Sequence, residues 1–110
     1  MKASSRISRS EFPALLAGRT VRGEHLELKY APFPGRISYA MVVSAKVAPS
    51  AADRNRLRRR GRAILQKLQK TVEPGWGIAL FFKKGAPKLS FAELEVEIRS
   101  LLLKTSFFHS

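Results

Sequence analysis

Between Asp53 and Lys70 the chain reads DRNRLRRRGRAILQKLQK, six arginines within nine residues with apolar residues threaded between them. At 3.6 residues per turn, Leu57, Gly61, Ile64, Leu65 and Leu68 gather into an apolar arc of roughly 100°, the width a helix uses to dock on a sheet or another helix. Arg54, Arg58 and Arg62 flank one edge of that arc, and Arg56, Arg59, Arg60, Lys67 and Lys70 cover the far side. Such a helix must bury one stripe and present cations over nearly all the rest, so the remaining chain has to supply the surface it docks on. No carboxylate follows Asp53 in this stretch, and the arginines repel one another until a polyanion relieves them. Guanidinium groups offer planar, bidentate donors that match phosphate oxygens and can stack on bases. Their near-exclusive use over lysine favours nucleic acid over a merely solvated face, which usually mixes charge signs.

The rest of the composition agrees. A chain of 110 residues with 45% hydrophobic residues makes one domain with one modest core. Its net charge of +13 predicts a polyanionic partner: RNA, DNA or an anionic membrane surface. The absence of cysteine removes disulfides, thiolate chemistry and zinc ribbons, and suits a reducing cytoplasm. No apolar run is long enough to span a membrane. Lys2 and Arg6 are followed by Ser8, Arg9, Ser10 and Glu11 with no apolar stretch, so no signal peptide is expected.

Taken in order, residues 1–9 are polar, basic and aperiodic, and read as a flexible or partly ordered basic arm. Ser10 can cap a short helix with Glu11 and Pro13 in its first turn, Phe12, Leu15 and Leu16 on one side, and Gly18 as its stop. Arg19 to Gly23 can pair as an edge strand. Leu26 to Tyr30 alternates as a half-buried strand, with Leu26, Leu28 and Tyr30 on one face and Glu27 and Lys29 on the other. A turn over Ala31-Pro32-Phe33-Pro34-Gly35 leads to a more continuously apolar strand from Ile37 to Ser44, and a hairpin between the two is the simplest pairing. Ser50 caps the arginine helix, with Asp53 three residues on, and Pro74-Gly75 ends it beyond about Lys70 or Val72. Ile78 to Phe82 forms a buried strand, giving a parallel strand-helix-strand unit. Ser90 then caps a helix whose Phe91, Leu94, Ile98 and Leu101 or Leu102 repeat at helical spacing. Glu93, Glu95 and Glu97 place that helix away from a polyanion. The domain spans residues 10–104, and 105–110 form a tail containing Phe107 and Phe108.

The run Arg54-Asn55-Arg56-Leu57-Arg58-Arg59-Arg60, preceded by Ser44-Ala45-Lys46-Val47 at a strand end, resembles the signature of the bacterial ribonuclease P protein component. The resemblance extends over most of the chain, from about Arg6 to Lys104. It implies an α+β fold: a single-domain α-β-β-β-α-β-α sandwich with a mixed sheet, ribosomal protein S5 domain 2-like. It also implies a left-handed crossover through the arginine helix, where general rules favour a right-handed one. In function it implies an RNA-binding subunit of ribonuclease P, a ribonucleoprotein endonuclease and hydrolase whose catalytic RNA removes the 5′ leader from precursor tRNA. The partners implied are that RNA and precursor tRNA, with one protein monomer per RNA. The protein alone would bind no cofactor, and Mg2+ would belong to the RNA holoenzyme.

Carried over by position, the RNA-binding residues are Lys46, Arg54, Asn55, Arg56, Arg58, Arg59 and Arg62. The leader-binding cleft would hold Phe12 and Tyr30, either of which can stack on an unpaired base; core packing is the alternative for each. Four features depart from the family pattern. Leu16 stands where a second aromatic is often found, and the segment between Val47 and Arg54 is one residue longer than usual. Gly61 replaces a large apolar residue and Ala63 a glutamate. A glycine inside the helix would cost about 0.5 to 1 kcal/mol relative to alanine.

The sequence offers no catalytic constellation. His25 and His109 are the only histidines, no His/Asp/Glu set has metal-ligand spacing, and no glycine-rich loop opens a helix after a strand. A ribosome-associated or general structural RNA-binding protein of the same fold is the alternative reading. A DNA-binding regulator would need a helix-turn-helix pair, and none is visible.

Overall fold

The apolar arc of the arginine helix finds its complement on one face of a sheet. A computed structural model of the chain describes residues 4–6 (backbone), 11–33, 37–68 and 75–105. In order these are β1 (Ser4–Arg6), α1 (Phe12–Leu16), β2 (Arg19–Arg22), β3 (Leu26–Pro32), β4 (Ile37–Val42), α2 (Ala51–Leu68), β5 (Trp76–Phe82), a 3-10 turn (Ala86–Lys88) and α3 (Phe91–Leu102). Among the described residues the strands make one mixed sheet, ordered β1-β4-β5-β3-β2. β1, β4 and β5 run parallel, while β3 pairs antiparallel with both β5 and β2. The strand-helix-strand unit β4-α2-β5 is therefore parallel, as its order in the sequence predicts.

Strand alternation divides the core in two. Leu26, Leu28 and Tyr30 of β3, Ile37, Tyr39 and Met41 of β4, and Ile78, Leu80 and Phe82 of β5 all point to one face. There they meet Leu57, Ile64, Leu65 and Leu68 of α2 and Leu94, Ile98, Leu101 and Leu102 of α3. All five positions of the expected α2 stripe, Gly61 included, are buried. On the other face Leu15 of α1 packs with Ala31, Phe33 and Ala79, and Phe12, Ala40 and Phe81 lie around them half-buried. Since α1 is only five residues long, it covers that face in part.

Two expectations need correction, the hairpin and the place of Phe91. β3 and β4 do not form a hairpin, because β5 lies between them: Ile78 is flanked by Tyr30 on one side and Tyr39 on the other. The physical reason is burial, since β5 is apolar at consecutive positions and takes the central place where both faces are covered. Ser4–Arg6, within the basic arm, forms a parallel strand beside Ile37–Tyr39. Phe91, counted with the apolar repeat of α3, is 40% exposed, and the buried repeat begins at Leu94. The expected Ser10 cap, the stop at Pro74 and the Phe107-Phe108 tail lie outside the described residues.

Gly61 also changes meaning. A Cβ there would come within 2.9 Å of both Met41 Sδ and Phe82 Cζ. The helix has not lost a core contact at this position: side chains from the sheet occupy the space a larger residue would have taken. Glycine lets α2 sit close over β4 and β5.

Candidate nucleic-acid interface

The interface is built outward from the stripe that α2 buries. At its start Ser50 Oγ accepts from the Asp53 N–H at 3.4 Å, a weak cap. A turn over Ala45-Lys46-Val47 precedes it, closed by the Val47 and Ala48 N–H groups donating to the Ser44 carbonyl, both at 3.1 Å. Arg54 fixes this turn to the helix, since its Nη1 donates to the carbonyls of Ala48 and Pro49, both at 2.9 Å. Arg54 is thus a brace for the turn that carries Lys46.

The other residues of the triplet are similarly arranged. Asn55 Oδ1 accepts from Arg58 Nη2 and so aims that guanidinium across the helix surface. Arg56 lies 3.4 Å from the Asp53 carboxylate, a solvent-exposed pair that holds its head group weakly. Arg60 reaches toward α3, its Nη1 donating to the Leu89 carbonyl at 3.3 Å. Among the described residues Lys46 and Arg59 are exposed and have neither a hydrogen-bond nor an ion-pair partner. Arg62 is half-buried at the edge of the stripe away from α3. The six predicted helix positions and Lys46 therefore lie around α2 from its start to Arg62.

The predicted cleft pair is not brought together. Tyr30 stands in phase with Leu26 and Leu28, so its ring enters the main core beneath α2 and α3, where it is 8% exposed and meets Trp76 edge-on at 5.8 Å. It lines a depression of about 440 Å³ with Ala17, Gly18, Arg19, Ala31, Pro32 and Trp76, which includes neither Phe12 nor Phe81. Phe12 stands on the opposite face. Its ring is 6.2 Å from that of Phe81, and Lys29 Nζ lies 6.0 Å from the centre of the Phe81 ring while donating to Thr20 Oγ1 at 2.9 Å. The half-covered face thus offers two aromatic rings and an ammonium group. Phe81 is not among the site positions expected from the sequence. Its signal was the alternation Ile78, Leu80, Phe82, which turns Phe81 the other way.

Away from these surfaces, His25 is clasped by α3: its backbone N–H and Nδ1 meet the two carboxylate oxygens of Glu97 at 2.7 and 2.8 Å. That hydrogen bond raises the imidazole pKa against the opposing effect of desolvation, with Glu97, Glu24 and Glu93 adding attraction. Among the described residues no three His, Asp or Glu side chains converge as metal ligands would, and no helix is long and apolar enough to cross a membrane.

Comparison with known proteins places this geometry. The family model described as Ribonuclease P matches residues 1–106. The ribonuclease P protein component of Microcystis aeruginosa is 29% identical over 92% of this chain and 89% of its own length. That of a Synechococcus strain is 33% identical over 93% and 81%. Among solved structures, the RNase P protein of Thermotoga maritima superposes with a TM-score of 0.81 at 18% identity, covering 96% of this chain and 99% of that one. A Staphylococcus aureus RNase P protein mutant with defective mRNA degradation activity gives 0.84 at 16%, covering 94% and 89%. The sequence match runs through the arginine helix and the sheet beneath it, and the chain belongs to the ribonuclease P protein family.

Proposed function

We propose that this chain is the non-catalytic, RNA-binding subunit of ribonuclease P, one copy per catalytic RNA, acting in the cytoplasm on precursor tRNA. The observation that carries the proposal is the outer face of α2, where Arg58 is aimed by Asn55 and Arg59 is left unpaired among the described residues. Cations exposed in this way are available to phosphate oxygens without first breaking an internal ion pair. The RNA supplies the chemistry and holds the magnesium ions, and the protein grips that RNA through α2 and the Lys46 turn.

On the other face, Phe12 and Phe81 are the rings on which an unpaired leader base stacks, with Lys29 beside a leader phosphate. Stacking tolerates any base, which suits leaders of varied sequence. The test compares precursor and mature tRNA binding by the reconstituted holoenzyme. Phe81→Ala should weaken binding of leader-bearing tRNA by about 1 to 3 kcal/mol and leave mature tRNA unaffected. Equal loss for both substrates would show that Phe81 is only scaffold. Tyr30→Ala, by contrast, should lower the stability of the domain itself.

A further inference from the structure

A second group of unpaired cations lies off the arginine helix. After β5 the chain reads Lys83-Lys84-Gly85-Ala86-Pro87-Lys88, and this loop is held from three sides. The Lys83 N–H donates to the His25 carbonyl at 2.9 Å and its Nζ to the Gly23 carbonyl at 3.0 Å. The Ala86 and Lys88 N–H groups close turns onto Lys83 and Gly85, both at 3.1 Å. Gly85 takes φ 91°, and a Cβ there would lie 3.0 Å from the His25 ring. Ala86 is fully buried in the same core as Ala48, and Arg60 of α2 donates to the Leu89 carbonyl.

So anchored, the loop presents Lys84 and Lys88 to solvent, and among the described residues neither has a hydrogen-bond or ion-pair partner. Since β4 and β5 run parallel, this loop and the Lys46 turn leave the same end of the sheet. Two cations beside α3 differ: Glu95 takes Lys67 at 3.0 Å and Arg99 at 3.8 Å. Glu24 and Glu97 lie against His25 beside the loop, yet among the described residues no carboxylate pairs with Lys46, Lys84 or Lys88.

We infer that the Lys83–Lys88 loop is a second phosphate-contacting surface, on which Lys84 and Lys88 hold backbone phosphates of the RNA gripped by α2. The inference rests on the proposed function and extends the contact from the helix to the end of the sheet. Lysine is a compact point charge without the bidentate fork of arginine, so this surface positions RNA without reading its bases. A fixed loop loses little conformational freedom when it binds.

The test measures binding of the full chain to a bacterial ribonuclease P RNA transcript across a roughly tenfold range of salt. Lys84→Gln with Lys88→Gln should make the slope of log affinity against log salt shallower by about 1.4 to 1.8, two contacts at about 0.7 to 0.9 each. Arg99→Gln with Lys104→Gln removes the same charge from the α3 side and should keep the wild-type slope. An unchanged slope in the loop variant, or an equal loss in both variants, overturns the inference. If Arg59→Ala still weakens binding in either case, the proposed function stands without it; if the unaltered chain does not bind the RNA, both fall.

Discussion

Helices α2 and α3 bury comparable stripes against the same sheet face and differ in what they turn toward solvent. α2 buries five positions and α3 four, and both insert aliphatic side chains into one continuous core. The outer face of α2 is mostly arginine, with Arg56 paired to Asp53 near its start and Lys67 to Glu95 near its end. The outer face of α3 is neutralised from within. Glu93 closes a capping box with Ser90, Glu95 pairs with Lys67 and Arg99, and Glu97 clasps His25, while Val96 between them is 68% exposed. Burial therefore explains why both helices exist and says nothing about function. The distinguishing feature is unrelieved charge, which costs stability in the free protein and is offset when phosphate binds.

The largest effect expected from this contrast is on RNA binding. Arg58→Ala with Arg59→Ala should weaken assembly with ribonuclease P RNA by about 3 to 6 kcal/mol, two charge-assisted contacts at about 1.5 to 3 each. The thermal midpoint should barely move, because surface changes away from the core seldom exceed about 0.5 kcal/mol. A matching loss of binding when Arg99 and Lys104 are neutralised would erase the distinction between the helices.

Packing under the two helices gives the next effect. Gly61→Leu restores the large residue common in the family but drives it into Met41 and Phe82, and should destabilise the domain by about 1 to 3 kcal/mol. Adding Met41→Ala should recover part of that loss. Denaturant titration of the three proteins checks this, and a stabilised single variant would mean that α2 has room to move away from the sheet.

The smallest effect is a pH dependence confined to the α3 side. The His25 pKa is raised, chiefly by its hydrogen bond to Glu97. The charged pair therefore contributes its full stability below the ordinary imidazole value of 6.5, and that contribution fades as pH rises through the raised value. Thermal midpoints should fall modestly from about pH 6 to pH 8 in the unaltered chain and lose that component in His25→Gln. An unchanged pH profile in the variant would show that the clasp is neutral throughout.

Much of this was legible in the residues. The α2 stripe, the Ser90 cap and the strand-helix-strand unit follow from local periodicity and capping chemistry, which one segment determines alone. The β5 insertion between β3 and β4 was not legible, because pairing depends on which strand is best buried on both faces. The separation of Phe12 from Tyr30 has a related reason. Between stacking platform and core, the phase of Tyr30 with Leu26 and Leu28 selects the face the helices cover. The roles of Arg54 and Asn55 as brace and guide also needed three dimensions, since the carbonyls of Ala48 and Pro49 carry no sequence signature.

The central claim is that this basic domain assists an RNA catalyst, and cleavage of precursor tRNA by a bacterial ribonuclease P RNA at low magnesium tests it directly. The RNA alone should cleave poorly under those conditions, and adding the protein should restore removal of the 5′ leader. The protein without the RNA should cleave nothing. Cleavage by the RNA that is indifferent to the protein, or cleavage by the purified protein alone, would contradict the assignment.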